Sequence, residues 1–306
     1  MQFLAGWFAH PIFKNGDYHE VMKTRIRERS LAQGLTKSRL PEFTESEKQR
    51  IKGTYDFFGL NHYTTVLVYN LNYPAAVASY DSDRGVASVT DRSWLGSGSF
   101  WLNVTPFGFR KLLKWITDEY NGPPIYVTEN GISERGAVNF NDTWRIHYLK
   151  SYINEALKAS LIDDVDLRGY AAWTLMDNFE WAVGFAEKFG FYYVNRTDPS
   201  LPRLPKASAR FYAQLISCNG FPDPANGPHP CLEPEPEAPV TPPGTTPGLA
   251  DSVRFLGLDL TSQSAEIALY VLFALSGIGA LGLVLFSYKY GKRFKRAQSH
   301  IKLSKM

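Results

Sequence analysis

The sequence predicts an α/β fold in which short parallel strands alternate with amphipathic helices. Two short runs, at 124–128 and 167–172, have the pattern of buried parallel strands; the first leads directly into Glu129, and the second is followed by acidic residues from Asp177 onward. Longer segments with apolar residues at helical spacing lie before, between and after these runs. This alternation is the pattern of βα units, so we expect a sheet of the βα-barrel type.

The helices and strands follow from local signals along the chain. Pro106 is suited to the first turn of a helix that places Phe109 and Leu113 on one face. Thr44 and Glu47 have the spacing of a capping box, which begins another helix. The expected helices cover 3–9, 17–33, 44–52, 106–120, 141–157 and 206–216, the expected strands cover 55–62, 124–128 and 167–172, and a long polar loop covers 73–98. This loop is expected to be either a binding loop or disordered.

The segment PIYVTENG at 124–131 is the most informative part of the chain. A strand-forming apolar run is followed by Glu129 and by the turn signal Asn130-Gly131, so Glu129 is expected at the carboxyl tip of a buried strand. Catalytic groups lie at this end of the strands in barrels and parallel sheets. A structural glutamate at a strand end explains the same pattern, and this segment alone leaves both interpretations open.

A second segment, WTLMDNFEW at 173–181, brings aromatic and acidic residues together after a predicted strand. Asp177 and Glu180 lie within it, close in sequence to Trp181. Acids are rarely buried unpaired and Trp carries an N–H that needs an acceptor, so packing alone accounts poorly for the cluster. A core edge with a solvated rim is the simpler alternative. Flat aromatic faces beside carboxylates are what a sugar pocket needs.

With both segments in view, the chain resembles glycoside hydrolase family 1, the retaining β-glucosidase and β-galactosidase family. Four motifs carry the resemblance, in the family's order: GWFAHPIFKNGDY at 6–18, GLNHYT at 59–64, YVTENG at 126–131 and WTLMDNFEW at 173–181. The resemblance covers residues 1 to about 220. It implies a partial (β/α)8 TIM barrel, in which the three predicted strands are the sixth, seventh and eighth.

The resemblance also implies roles for residues within the matched motifs. Glu129 aligns with the catalytic nucleophile, and Tyr63 aligns with the tyrosine that hydrogen-bonds this nucleophile. The residues expected to bind the sugar are Asn61, Trp173, Glu180, Trp181 and Phe189. For Asn61 and Phe189, simple packing at a strand end is an equally good interpretation.

Retaining hydrolysis needs a second carboxylate, the general acid/base, about 5–5.5 Å from the nucleophile. The resemblance places it in an Asn-Glu-Pro motif on an earlier strand, and the sequence contains no such motif. Since a complete barrel takes about 250 residues or more, we expect the chain to hold only the C-terminal part. Alone it is expected to be inactive or nearly so, because activity requires the N-terminal half of the barrel. A truncated gene model and a real short form remain open.

The composition changes after the domain that spans 1–220. Residues 221–266 are expected to form a proline-rich stalk. Residues 267–288 form a run of 22 residues without a charge, and a run of this length is long enough for a helix that spans a bilayer. The tail 289–306 holds seven Lys or Arg residues and no acid, so it is expected on the cytoplasmic side, against anionic lipid. Without this tail the chain has 26 Lys or Arg against 30 Asp or Glu residues, so the net positive charge comes from the tail, which argues against nucleic-acid binding by the body.

This orientation predicts a single-pass type I membrane protein with its body outside the cell, at the apical plasma membrane. No signal peptide precedes the body, which again indicates an absent N-terminal part. Glycosylation sequons begin at Asn103, Asn141 and Asn195, and a local disulfide between Cys218 and Cys231 fits an oxidising compartment. The six histidines show no ligand spacing with the cysteines, so neither a metal nor a cofactor is expected.

Two functions of different classes are consistent with these observations. The first is a membrane-anchored retaining β-glycosidase that hydrolyses β-linked sugars such as lactose and glucosides. The second is a non-catalytic, klotho-like binding or co-receptor protein. The presence of Glu129 together with Tyr63, Glu180 and Trp181 favours the enzyme. The preferred β-glycoside cannot be chosen from these residues.

Overall fold

The computed structural model describes residues 1–74, 76–222, 225, 231, 252–255 and 258–261. The chain divides into two compact units, Met1–Glu233 and Pro234–Met306. The first unit therefore ends beyond the predicted boundary at 220, and a disulfide between Cys218 and Cys231 lies inside it. No helix among the described residues is long and apolar enough to cross a membrane. The predicted span 267–288 and tail 289–306 lie outside the described residues.

Helices and short strands alternate through the first unit. The helices are α1 (Gly6–His10), α2 (Glu20–Ala32), α3 (Glu45–Ile51), α4 (Tyr80–Arg84), α5 (Pro106–Glu119), α6 (Thr143–Ile162) and α7 (Ala207–Cys218), with a π-helical turn at Pro11–Asn15 and a 3₁₀ turn at Trp181–Val183. The strands are β1 (Phe58–Asn61), β2 (Leu67–Asn70), β3 (Val86–Val89), β4 (Ile125–Glu129), β5 (Glu134–Arg135), β6 (Leu167–Tyr170), β7 (Glu187–Lys188), β8 (Tyr192–Val194) and β9 (Arg203–Pro205).

The central sheet has three parallel strands in the order β1-β4-β6. The chain passes through α5 between the first two strands and through α6 between the second and third, so the expected βα alternation is confirmed. Parallel pairing brings the carboxyl ends of all three strands to one edge. The polar residues that follow each strand are thereby collected at that edge.

The two faces of the sheet differ sharply in exposure. In β4, Ile125 and Val127 are buried, whereas Tyr126 and Thr128 are exposed, and β1 shows the same alternation. The buried face belongs to a core that includes Phe109 and other apolar residues of α5 and α6. Burial of such side chains stabilises the unit by roughly 1.5–3 kcal/mol each. The opposite face of the sheet carries no comparable cover among the described residues.

The prediction of an irregular loop at 73–98 is wrong for part of its length. Helix α4 begins with a capping box at Ser79, and β3 pairs antiparallel with β2. Asp83 is 7% exposed and accepts hydrogen bonds from Arg29 and Arg39 at 2.6–3.2 Å. This ion cluster joins the segment to α2. Sequence reasoning missed it because the partners are more than 40 residues apart along the chain.

Several predicted boundaries shift in the structure. The capping box at Thr44 is confirmed, and α5 begins at Pro106 as predicted. Helix α6 continues to Ile162, five residues past its predicted end. Strand β6 ends at Tyr170, two residues before its predicted end at 172. Beyond this strand end, the backbone N–H groups of Ala171 and Trp173 still donate to the carbonyls of Val127 and Asn130, at 2.7 and 2.8 Å, so the two segments stay paired.

The second unit contains an antiparallel pair of strands, β10 (Ser252–Phe255) and β11 (Leu258–Thr261). Both strands fall within 221–266, where the sequence predicts only a stalk. The sequence SVRF and LDLT alternates apolar and polar residues, which is the pattern of strands. The nearby prolines dominate the composition of this region and conceal that signal.

Candidate active site

Glu129 is the last residue of β4, at the carboxyl edge of the parallel sheet. Leu60 pairs with Val127 and the next residue of β1, Asn61, pairs with Glu129, so Thr128 is an extra residue in the ladder. Such a bulge re-aims the side chain that follows it. The backbone N–H of His62 donates to the Glu129 carbonyl at 3.0 Å and holds the end of the strand in place.

The hydroxyl of Tyr63 donates to Oε2 of Glu129 at 2.7 Å. Burial raises the pKa of Tyr63 well above its usual range, and the hydrogen bond to Glu129 and the nearby carboxylate charges raise it further. Tyr63 therefore remains a neutral hydrogen-bond donor across the physiological pH range. The bond restrains one oxygen of the carboxylate while the other stays available for contact with a ligand.

A buried hydrogen-bond network around Asn130 holds the backbone next to Tyr63 and Glu129 in place. Asn130 is fully buried; its side chain accepts from the hydroxyl of Tyr170 at 2.5 Å and donates to the carbonyl of His62 at 2.6 Å and to the hydroxyl of Tyr148 at 3.0 Å. The Tyr148 hydroxyl in turn donates to the Tyr63 carbonyl at 2.9 Å. The network connects the ends of all three strands. Sequence reasoning identified Asn130 only as a turn residue and missed this contact set, because the tyrosines lie far away in sequence.

Glu180, Trp173 and Trp181 form the second group at the same edge. The indole Nε1 of Trp173 donates to Oε1 of Glu180 at 3.1 Å, which satisfies the N–H identified from the sequence. Trp181 is 84% exposed, so its indole face is open to a ligand. The peptide bond between Trp173 and Thr174 is cis.

Glu180 is partly buried and has other carboxylates near it. Burial raises its pKa, and the charges of Glu187 and Glu129 raise it further, whereas the hydrogen bond from Trp173 opposes the shift. The site therefore concentrates negative charge and hydrogen-bond acceptors, which suits a neutral polyol better than an anionic ligand.

The structure separates Asp177 from the pocket acids with which the sequence groups it. Asp177 is 5% exposed, accepts from the backbone N–H of Gly190 at 2.9 Å and lies 3.7 Å from the buried ammonium of Lys206. The guanidinium of Arg196 donates to its backbone carbonyl at 3.0 Å. These contacts anchor the segment that carries Trp181.

Asn61 and Phe189 occupy different positions in the site. Asn61 is exposed, and its side-chain oxygen accepts from the hydroxyl of Thr128 at 2.6 Å. Phe189 is 3% exposed and packs edge-on against the ring of Tyr63, with ring centroids 6.0 Å apart. The position of Phe189 thus fits the interpretation that it packs at a strand end. Contact of either residue with a sugar stays a prediction.

The three sequon asparagines differ in accessibility. Asn141 is exposed, whereas Asn103 and Asn195 are partly buried. The side-chain oxygen of Asn195 accepts from the N–H and the hydroxyl of Thr197, at 3.1 and 2.7 Å. Glycosylation at these positions stays a prediction.

The comparisons with known proteins agree with this geometry. The sequence profile of Glycosyl hydrolase family 1 matches residues 1–221. The chain belongs to this family. It is 65% identical over 299 residues to lactase/phlorizin hydrolase of Homo sapiens, covering 98% of this chain and 15% of that protein. It is 48% identical over 226 residues to lactase-like protein of Mus musculus, covering 73% of this chain and 40% of that protein. The structure of an aphid myrosinase matches with a TM-score of 0.64 at 36% identity, covering 71% of this chain and 46% of that one.

The chain spans less than half the length of each of these relatives. The similarity to lactase/phlorizin hydrolase covers 98% of the chain and thus extends well beyond residue 221, where the family profile stops. The residues that follow the glycosidase part are therefore shared with this relative.

Proposed function

We propose that this chain is the C-terminal part of a membrane-anchored retaining β-glycosidase, with Glu129 as its nucleophile. The observation that carries the proposal is the 2.7 Å hydrogen bond from the Tyr63 hydroxyl to Glu129, at the carboxyl edge of the sheet. A nucleophilic carboxylate needs a neighbour that orients it without taking its charge. A tyrosine with a raised pKa supplies such a neighbour.

In the proposed reaction, an oxygen of Glu129 attacks the anomeric carbon of a β-linked sugar and the glycosidic C–O bond breaks. A general acid protonates the departing oxygen, and the same group, now a base, later takes a proton from the water that cleaves the glycosyl ester. The sequence has no Asn-Glu-Pro motif to supply this group. We propose that it comes from an N-terminal barrel half outside this chain, packed against the exposed face that carries Tyr126 and Thr128.

The sugar is proposed to rest on the aromatic side chains at the sheet edge. The open face of Trp181 suits the C–H surface of a pyranose, and the carboxylate of Glu180, oriented by Trp173, accepts from its hydroxyls. Asn61 and Phe189 are proposed to contribute at the rim. The substrates proposed are β-linked sugars such as lactose and β-glucosides, and this chemistry needs no cofactor.

We also propose the topology of a type I membrane protein at the apical plasma membrane. Residues 267–288 span the bilayer, 221–266 form the stalk and 289–306 lie in the cytoplasm. The uncharged span followed at once by a basic tail supports this arrangement. The sequons at Asn103, Asn141 and Asn195 and the disulfide would then face the outside.

The experiment supplies the proposed partner. The preceding half of the matching family 1 domain from human lactase/phlorizin hydrolase is joined to this chain, giving the complemented chain. We expect the complemented chain to hydrolyse an aryl β-glucoside and this chain alone to be slower by at least about 10²–10⁴-fold, the contribution of a general acid/base. Glu129→Gln should abolish the restored activity.

Two outcomes would contradict the proposal. Normal turnover by this chain alone would show that the acid/base does not come from outside. A folded complemented chain that binds β-glucosides without hydrolysing them would favour the klotho-like binding function instead. Thermal unfolding measured beside each assay separates a catalytic defect from a failure to fold.

A further inference from the structure

Two histidines and a glutamate from three separate elements meet away from the proposed active site. His10 ends α1, His19 is the residue that caps the start of α2, and Glu119 is the last residue of α5. One ligand atom from each lies within 4.8 Å of the other two. Helix α5 leads into the amino end of β4, so this cluster lies toward the amino ends of the strands. Glu129 lies at their carboxyl ends.

A backbone contact holds the buried ring of His10. The residue is 6% exposed, and its Nδ1 lies 2.9 Å from the carbonyl oxygen of Asp17. A carbonyl oxygen can only accept, so Nδ1 carries the proton and the lone pair of the ring is on Nε2, through which this tautomer would bind a metal. A ring N–H bonded to a backbone carbonyl is the usual outer support of a metal-binding histidine, because it fixes both the tautomer and the ring plane.

Glu119 and His19 supply the other two ligands. The ammonium of Lys14 donates to the backbone carbonyl of Glu119 at 2.6 Å, so this bond does not engage the carboxylate. The Nδ1 of His19 accepts from the N–H of Val21 at 3.1 Å. A metal at Nδ1 would replace this bond, and a metal at Nε2 would move the ring proton to Nδ1 and break it. Metal binding therefore exchanges a helix cap for a coordinate bond.

We infer that His10, His19 and Glu119 form a zinc-binding site. Two imidazoles and one carboxylate are a known zinc ligand set that leaves a fourth position for water, whereas calcium and magnesium prefer oxygen ligands alone. Tetrahedral bonds of about 2.0–2.1 Å place ligand atoms about 3.3 Å apart. The cluster must therefore contract by up to about 1.5 Å. The side chains of His19 and Glu119 are only partly buried, which leaves them room to move.

The two histidines also have an explanation that needs no metal. Their rings pack edge to face with centroids 4.9 Å apart, and His19 caps α2. The test must therefore separate metal binding from packing. His19→Asn keeps a side-chain oxygen that can cap the helix and removes the imidazole. Glu119→Gln keeps the shape of the side chain and removes its charge.

The experiment uses the full chain in detergent micelles, without a histidine tag and stripped of metal by a chelator. Zinc is titrated in competition with a chromophoric chelator, and bound metal is counted after dialysis. His147→Ala is the matched control, because His147 is an exposed histidine of α6 outside the cluster. Cobalt replaces zinc in a second titration, since its visible absorption reports four-coordinate geometry.

We expect one zinc ion per chain, with an affinity that millimolar calcium or magnesium does not reduce. His19→Asn and Glu119→Gln should weaken binding at least tenfold while circular dichroism and thermal unfolding without metal stay unchanged, and His147→Ala should bind as the unchanged chain does. Cobalt should give the intense spectrum of a four-coordinate site. The absence of stoichiometric zinc, or equal binding by both cluster variants, would overturn the inference. Neither result depends on glycoside hydrolysis.

Discussion

Replacement of Tyr63 by phenylalanine tests the proposed role of the Glu129 neighbour directly. The change removes the hydroxyl that lies 2.7 Å from Glu129 Oε2 and leaves the ring in place against Phe189 and Trp101. In the second step of the proposed reaction, Glu129 departs from the sugar as a carboxylate. Tyr63 stabilises that developing charge, so its loss should slow deglycosylation more than the first step.

The magnitude follows from the kind of hydrogen bond that is lost. A hydrogen bond to a charged group contributes about 1.5–3 kcal/mol, which corresponds to a rate decrease of about tenfold to 150-fold. The assay is a rapid-mixing experiment on the complemented chain with a dinitrophenyl β-glucoside. Tyr63→Phe should release a burst of phenolate close to one per site, followed by slow turnover.

The control for this variant is Tyr69→Phe, which removes the hydroxyl of an exposed tyrosine on β2. It should leave both phases unchanged. The reasoning is refuted if Tyr63→Phe turns over at the original rate, or if its only effect is a higher KM, since the bond would then play no part in the departure of Glu129.

Three further variants of the complemented chain follow from the same contacts. Trp173→Phe removes the N–H bond to Glu180 and should raise KM for glucosides about three- to tenfold; an unchanged KM argues against a sugar-binding Glu180. The raised pKa of Glu180 favours folding only at low pH, and this contribution is lost as the pH rises through that pKa. Glu180→Gln should therefore raise the Tm at pH 7 and have no effect on the Tm well below the ordinary pKa of 4.5. A Tm change that is the same at every pH excludes the raised pKa as its cause. Asn130→Ala leaves the hydroxyls of Tyr148 and Tyr170 without their amide partner. It should lower the free energy of unfolding, measured by denaturant titration, by about 1–3 kcal/mol. An unchanged free energy of unfolding would contradict a stabilising role for this network.

The sequence predicted those parts of the site that are formed by residues adjacent along the chain. The apolar run before Glu129 fixes a strand end, and the aromatic-acidic segment fixes Trp173 and Glu180 beside it. Pro106 begins α5 as expected, because its ring suits the first turn of a helix. Each of these signals acts over a few residues.

The parts that the sequence did not predict depend on contacts between distant residues. The bulge at Thr128 arises from pairing with β1, and the burial of Asp177 depends on Gly190 and Lys206. The cluster at His10 requires the end of α5, more than 100 residues away. Spacing along the chain carries no information about such approaches until the fold brings the elements together.

The most direct test of the central proposal is to trap the glycosyl-enzyme ester. The complemented chain is incubated with a 2-fluoro-2-deoxy β-glucoside, whose ester hydrolyses slowly, and the labelled peptide is sequenced by mass spectrometry. The account predicts one label per chain on Glu129, in the peptide that contains YVTENG, and no label in Glu129→Gln. A label on another residue, or hydrolysis that continues at the original rate in Glu129→Gln, would contradict it.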